Sequence, residues 1–559
     1  MSLMGSFYTG VSGLQVSNNA LNTTAHNMSN MDTIGYTRQQ VSQTARRYVT
    51  VSKGTPNWKQ LGLGVEYSLT RHERDVFLDK NYRRESGRSG FYDVSTSAME
   101  EIEYILGEGE AGGSIEGHEF SESLSNFWVS IQELSKDPTS SVNQNLFVTR
   151  AFEFVTRASA VYNSLCQYQD NLNKSIVKEV TNINSYAQEI EELNERIVAI
   201  EAGVEHANDL RDRRDLLLDK LAKLGSISYD EDITGYVTVR FEGVDLVKGG
   251  MVNNMQLFTD PKTGFYTPYW KMLADCDYDA DGNLVVTQEA IEGAEVFDLT
   301  RKISSDLNTD IGTLKGMLLA RGDHRATYKE LQDYPPDVKY DPNNPDPSQK
   351  VDGWYNNHVS QSVVMNIQAE FDQLINAVAT KVNEILAEEA ERVGPAGESD
   401  YLRDENGQPY QLFTKVVETG EWTVSNITVN QELRQNPALL KFRLDDHSED
   451  NPAMEKLKEA FDEKIYTLNP NVQTPLSFND YYRSLVGQVA NGGKVFRGVQ
   501  LTQTQATDAL ANAREQVVGV SSDEELTHMI KFQNAYNASS RYINVISEML
   551  EHILTTLGR

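Results

Sequence analysis

The chain has two cysteines in 559 residues, Cys166 and Cys276, far apart in sequence. Two exclude a disulfide framework and a cysteine-based metal cluster. No run approaches the roughly 20 apolar residues that a membrane span needs. The N-terminus has neither the charged n-region nor the continuous apolar stretch of a cleaved signal peptide. Basic residues are in deficit: 51 Lys and Arg against 82 Asp and Glu leave a net charge of −31. That argues against nucleic acid or an anionic membrane as the main partner. Proline is sparse, and five of the 15 crowd into positions 335–347 of YPPDVKYDPNNPDPSQK. No packed element survives that density, so an exposed tip or inter-domain excursion is expected there. The most informative absence is at the start. The first 31 residues contain no Asp, Glu, Lys or Arg in a chain that is 24% charged.

That stretch, MSLMGSFYTGVSGLQVSNNALNTTAHNMSNM, keeps strict time all the same. Phe7, Val11, Leu14, Leu21, Ala25 and Met28 fall on alternating steps of 4 and 3, with Asn18 in the one polar slot. This is a heptad seam, the pattern of a helix that packs along another helix. Its other faces are Ser, Thr, Asn and Gly, which are poor helix formers. A segment of about 33 Å, at 1.5 Å per residue, with weak propensity and a narrow stripe requires a partner. The chain's other end mirrors it. Met529, Tyr536, Ile543, Leu550 and Leu557 recur at sevens, and Phe532, Ile546 and Ile553 follow three of them by three. Ahead of this second seam, Ser522-Asp-Glu-Glu525 reads as a capping box.

Between the seams the chain is too long for one core, and its length suggests roughly three to four domains. Tyr36–Val41 and Val65–Leu69 alternate like strands, and a helix is expected from Asp75. Residues 91–106 are amphipathic, with Tyr92, Met99, Ile102 and Leu106 inward, and Gly107–Gly113 reads as a loop. Helices follow from about 119 to 224. Phe120, Leu124, Phe127, Ile131 and Leu134 mark one. Ile176, Ile183, Ile190 and Ile197 mark a very long one, and NDLRDRRDLLLDKLAKL ends a third at Gly225. Residues 226–300 turn to β, 303–320 read as a short helix, and His358–Glu391 as a strongly periodic one. Residues 394–450 are mixed, with Trp422–Val429 strand-like, and 453–466 and 478–517 are helical.

No catalytic constellation emerges. Gly107-x-Gly109-x-x-Gly112 matches a dinucleotide fingerprint literally, but a helix precedes it and Glu108 and Glu110 would repel a pyrophosphate. Asp277-x-Asp279-x-Asp281-Gly282 resembles half an EF-hand loop, yet its twelfth position is Gln288 rather than a bidentate Glu. His72-Glu73 and His118-Glu119 lack the second histidine of a zinc helix, and Lys494 lacks the first glycine of a P-loop. The nine histidines are scattered. Asp212 and Asp215 lie among arginines, and solvated helix-surface charge pairs explain them. No enzymatic activity, metal or cofactor is expected.

The terminal stretches resemble the axial proteins of the bacterial flagellum. The N-terminal mark is GLQVSNNALNTTAHNMSNMDTIGYTRQQV, running into Gly35-Tyr36-Thr37-Arg38. The C-terminal mark is VVGVSSDEELTHMIKFQNAYNASSRYINVISEMLEHIL. Internal blocks, GLGVEYSLTRHERDVFLDKNYR, ANDLRDRRDLLLDKLAKL, GTLKGMLLARGD and ATKVNEIL, resemble the first hook-associated protein family, the hook–filament junction proteins.

The resemblance implies a multidomain α+β fold: paired terminal helices in a coiled-coil inner layer, a long-helix bundle domain and inserted β-rich outer domains. Residues 1–58 with 518–559 would form the terminal domain, and 59–225 with 355–393 and 476–517 the bundle. Residues 226–354 would form a β-rich outer domain with the proline-rich loop 334–349, and 394–475 a mixed insertion. It implies a structural role, polymerising as a junction layer between hook and filament. Phe7, Val11, Leu14, Asn18, Leu21, Met28, Met529, Phe532, Tyr536, Ile543, Ile546, Leu550, Ile553 and Leu557 would form the assembly interface. The implied partners are further copies, hook protein, the second junction protein on the filament side, and an export chaperone at the C-terminal helix. Neither nucleic acid nor membrane is among them. The implied location is the extracellular flagellum, reached through the flagellar secretion apparatus without a cleaved signal. The alternatives are another axial subunit of hook or filament type, or an enzyme carried in the outer region.

Overall fold

The structure is a computed structural model. It describes the 559-residue chain apart from residues 1–2, 47, 54–57, 73, 108–119, 204–205, 279–283, 332–353, 394–401, 405, 443–450 and 558–559. The proline-rich loop, most of the Gly107–Gly113 loop and the Asp279–Asp281 part of the acidic turn lie outside the described residues.

Helix α1 spans Leu3–Ser29. Strands β1 (Gln39–Ala45), β2 (Val49–Lys53), β3 (Trp58–Leu61) and β4 (Val65–His72) follow, with β1 paired to β4 and β2 to β3, all antiparallel. Next come helices α2 (Val76–Leu106), α3 (Phe120–Lys136), α4 (Ser141–Glu201) and α5 (Asn208–Leu224). Strands β5 (Ile227–Glu231), β6 (Val237–Phe241), β7 (Val244–Lys248) and β8 (Met251–Val252) make a four-stranded antiparallel sheet in that order. Hairpins β9 (Met255–Thr259) with β10 (Tyr266–Trp270), and β11 (Asp277–Tyr278) with β12 (Leu284–Val285), lead to helices α6 (Gln288–Ile291), α7 (Thr313–Arg321), α8 (Trp354–His358) and α9 (Val363–Val393). Strand β13 (Phe413–Lys415) pairs with β14 (Ile427–Val429). Helices α10 (Gln431–Gln435), α11 (Asn451–Asp462), α12 (Phe478–Val518) and α13 (Ser522–Leu557) complete the chain.

Several elements differ from the sequence reading for local physical reasons. Helix α2 starts at Val76 because Asp75 Oδ1 accepts the amides of Phe77 and Leu78, at 2.8 and 3.3 Å. The helix expected over 303–320 is present only from Thr313. Thr309 Oγ1 accepts the Ser304 amide and donates to the Lys302 carbonyl, which holds 302–309 in a turn. The helix expected from His358 is split at 359–362 into α8 and α9. Of Trp422–Val429, only Ile427–Val429 is strand, since Val424–Asn426 forms a 3₁₀ turn whose Val424 amide donates to Asp372 at 2.6 Å. Helix α12 runs unbroken through Gly492 and Gly493. A Cβ at Gly492 would come within 2.9 Å of Met99 Cε, so the glycines make room for α2. Cys166 and Cys276 are both free and half-buried.

The protein is a mostly helical α+β chain in two compact units. The first comprises Met1–Gly87, Asn182–Asn254 and Thr504–Arg559. Its centre is an alternating ring of charge. Arg74 pairs with Asp79 and Asp215, Arg83 with Asp215 and Asp219, and Arg514 with Asp79 and Asp219. Asp215 is therefore an inter-element partner rather than a solvated helix-surface charge.

The second unit comprises Arg88–Thr181 and Met255–Gln503. Its core is aromatic. Phe120 lies 4.9 Å from both Phe371 and Tyr482, and Phe127 contacts Phe147, Phe154, Phe413 and Phe461. Helix α9 is buried nearly all round, with Val364, Ile367, Phe371, Leu374, Val378, Val382 and Ile385 in the core and the polar Gln368, Glu370, Asp372 and Asn383 buried beside them.

Candidate assembly face of the terminal helices

Within the first unit, α1 runs antiparallel along α13. Gly10 lies against Ile543 and Tyr542, and Gly13 against Ser539, so positions ascend in one helix as they descend in the other. On α13 a half-buried or buried stripe runs through Met529, Phe532, Tyr536, Ser539, Ile543, Ile546 and Leu550 in steps of 3 and 4, with Glu525, His528 and Ser540 also covered to that degree. They include six residues of the heptad read from sequence, and Ile546 is only 3% exposed. Ile553 is exposed, and the side chain of Leu557 lies outside the description.

Helix α1 departs from expectation. Its buried residues are Gly5, Gly10, Ser12, Val16, Ser17, Ala20, Thr24 and Asn27; Gly10, Ser17, Ala20, Thr24 and Asn27, with the half-buried Gly13, each stand one residue ahead of the apolar seam. One residue is about 100° around a helix. Phe7, Val11, Leu14, Leu21 and Met28 therefore flank the contact and stay half-exposed, while Asn18 and Ala25 are exposed. The cause is size. Small residues let two backbones approach closely, and Cβ atoms at Gly10 and Gly13 would each come within 2.8 Å of α13 side-chain atoms. The signal was present in the sequence as a second heptad of Gly, Ser, Ala and Thr, which a search for large apolar residues passes over.

The turn after α1 is stitched down. Asn27 Nδ2 donates to the Gln39 carbonyl at 2.9 Å, while its Oδ1 accepts from Tyr36 Oη at 2.7 Å and from the Gln39 amide. The Thr37 amide donates to Asp212 at 3.0 Å. Asp212 is buried, not solvated as read from sequence, and that burial pushes its carboxyl up to about 6 despite the bonds from Thr37. Arg38 bridges to the head of α13, with Nε to Glu525 and Nη1 to Glu524, both at 2.9 Å, and its amide donates to the Val518 carbonyl. Glu525, expected to fold back onto the helix cap, instead receives Arg38. Sequence reading marked Gly35–Arg38 by resemblance; the geometry supplies its purpose.

Beside this contact lie further apolar side chains without cover. Tyr8 on α1 is 56% exposed, and Tyr542, Val545 and Met549 form an exposed stripe on α13. Among the described residues no group of three or more His, Cys, Asp or Glu could hold a metal ion. None of the described helices is long and apolar enough to cross a membrane.

Comparison with known proteins finds matches at both ends and through the middle of the chain. A family model described as the flagellar hook-associated protein FlgK helical domain matches residues 99–399. Models for the flagella basal body rod protein and the C-terminal part of the flagellar basal body rod FlgEFG proteins match residues 7–37 and 516–556. Flagellar hook-associated protein 1 of Bacillus subtilis is 27% identical over 96% of this chain and 95% of its own length. The protein of that name from Salmonella typhimurium is 24% identical over 97% and 98%. A solved structure of the flagellar hook junction protein FlgK from Burkholderia pseudomallei aligns over 79% of this chain and all of that one, with a TM-score of 0.53 at 12% identity, a likeness of fold. With more than half of its length inside the helical-domain model, the chain belongs to the flagellar hook-associated protein FlgK family, and its role in the flagellum is structural.

Proposed function

We propose that this protein polymerises as a junction layer between hook and filament, with α1 and α13 as a two-stranded coiled coil in the inner wall. The observation that carries the reading is the offset on α1. The intrachain contact uses the small-residue face and leaves Phe7, Val11, Leu14, Leu21 and Met28 half-exposed. A monomer that buried its large apolar stripe would have nothing left for neighbours; this one keeps it. The stripe of Tyr542, Val545 and Met549 supplies a second adhesive edge. An uncharged α1 suits an enclosed wall, where an unpaired charge is costly.

Further copies, hook protein on one side and the second junction protein on the other would cover these stripes. An export chaperone would shield α13 before assembly, and the chain would leave the cell unfolded through the flagellar secretion apparatus. The finer division into a terminal domain, a helical bundle and two outer insertions belongs to the same reading, which is non-catalytic. The rod-type matches at residues 7–37 and 516–556 are common ground with other axial subunits; the helical-domain match selects the junction.

Deletion in the native bacterium tests this. Cells should keep hooks, lack filaments and release unpolymerised filament protein. Loss of the hooks themselves would point to a hook subunit, and normal filaments would refute the role.

A further inference from the structure

The second unit contains a cleft of about 850 Å³ that the assembly role leaves unused. It opens between hairpin β9–β10, residues 295–300, the end of α7 and the turn joining α8 to α9. Its inner wall is apolar, with Phe258, Phe265, Phe297, Leu318 and Leu319 all buried.

Arg321 stands in that wall at 2% exposure. Its Nε donates to the Gly322 carbonyl at 2.8 Å. Its Nη1 donates to Asn173 Oδ1 at 2.6 Å and to the Tyr266 carbonyl at 2.9 Å. The guanidinium carbon sits 4.7 Å from the centre of the Phe265 ring. Among the described residues, Nη2 has no hydrogen-bond partner and no carboxylate lies within ion-pair distance. The neighbouring Asp323 is taken by His324 Nδ1 at 2.6 Å, and His324 Nε2 faces Glu330 at 3.3 Å. Asp323 still acts on Arg321 across space but is shared with His324, so the buried cation is only partly compensated, and a carboxylate from outside is the group that matches its fork.

Glu295 and Asp298 form an acidic side of the mouth, while the exposed Lys262 and His358 also line the cleft. Burial raises the Glu295 carboxyl, and Asp298, Glu292 and Asp323 raise it further, with no base among the contributors. Asp298 is fixed nearby, accepting the Thr300 amide and hydroxyl at 3.1 and 2.7 Å. The acidic side favours a cation, and Arg321 favours an anion. A molecule with one charge of each sign and an apolar body satisfies both ends. Gln361 Oε1 and Ser362 Oγ, in residues that line the cleft, are buried without a hydrogen-bond partner among the described residues. A peptide unit offers both a donor and an acceptor to them.

We propose that this cleft binds a short apolar peptide as a zwitterion, its carboxylate on Arg321, its ammonium at Glu295 and Asp298, and its side chains against the phenylalanine and leucine wall. The volume lies within the range of about 300–1,000 Å³ typical of small-molecule sites, enough for two or three residues.

Titration calorimetry on the full chain tests this with four probes: leucyl-leucine, leucine, 4-methylpentanoate as carboxylate alone, and isoamylamine as amine alone. Leucyl-leucine should bind saturably, and the two single-charge probes at least about tenfold more weakly, since each leaves one charged pole unpaired. Tighter binding of free leucine than of the dipeptide would overturn the peptide assignment. Glu295→Gln at the mouth and Leu299→Trp, which fills the cleft, should each weaken the dipeptide about tenfold or more with unchanged circular dichroism and Tm of the free protein. They spare the Arg321 contacts, whose loss could disturb folding. No saturable binding up to about 10 mM, equal binding of a single-charge probe, or binding unchanged in both variants would overturn the proposal.

Discussion

Gly10 of α1 and Ile543 of α13 are in direct opposition: a Cβ on Gly10 would stand 2.8 Å from Ile543 Cγ1 and 3.1 Å from Tyr542 Cδ1. The missing side chain at Gly10, like that at Gly13 against Ser539, lets the terminal helices approach closely. Gly10→Val should push them apart at a cost of about 1–3 kcal/mol, the usual range for overpacking. Gly13→Ala meets only the rotatable Ser539 hydroxyl and should cost less. Thermal unfolding of the two variants checks the order, and a Gly13 effect equal to that of Gly10 would contradict the packing described.

The two flanks of α1 separate folding from assembly. Leu14 is half-exposed beside the contact, so Leu14→Glu should change monomer stability by no more than about 0.5 kcal/mol, as surface substitutions do, and still abolish filament attachment. Ile543→Asp lies on the covered side of α13. It should loosen the helix contact as well as block assembly, leaving the second unit folded. Filaments of normal number in the Leu14→Glu strain would show that the half-exposed seam is not used.

How much of this was legible in the sequence depended on size and sign. The α13 seam was readable because large apolar residues sit where the contact is. On α1 the same rule pointed one residue too far, because Gly10, Gly13, Ser17 and Ala20 carry no hydropathy signal and make contact by being small. Helix α5 was read to its last residue because Gly225 follows Leu224. The turn at 302–309 was missed because its cause is one threonine hydroxyl. Asp212 and Asp215 were read as surface charges, since local i,i+3 spacing is visible and partners such as Thr37 and Arg83 are distant in sequence.

The Arg38–Glu525 bridge gives a third prediction. Glu525 is 2% exposed and accepts from Arg38 at 2.9 Å. Arg38→Met strands a buried carboxylate and should destabilise the first unit by about 3 kcal/mol, as breaking a buried pair does. Glu525→Gln in the same chain removes that carboxylate and should restore at least half of the loss. Urea unfolding of the two single variants and the double variant supplies the cycle, and simple additivity would mean the bridge is not a coupled pair.

Glu370 gives a pH dependence whose sign follows from its surroundings. It is 0% exposed on α9, and its carboxylate accepts from Asn366 at 3.2 Å, Asn469 at 2.8 Å and Gln488 at 3.0 Å. All three donors are neutral amides. Burial pushes the carboxyl up to about 7 against those bonds. Asp372, two residues on, is pushed up to about 7 in the same way, against bonds from the amides of Val424 and Tyr328. A carboxyl whose folded pKa is raised favours the folded state in its protonated form. Its contribution is fully present below the ordinary glutamate range near pH 4.5 and is lost as pH rises through about 7. The second unit should therefore lose on the order of 2 kcal/mol from Glu370 alone between pH 5 and pH 8. Glu370→Gln cannot ionise, so it should flatten that slope and equal or exceed the wild type at pH 8, while being less stable at pH 5. Urea midpoints at the two pH values decide it, because a structural loss without titration would lower both equally.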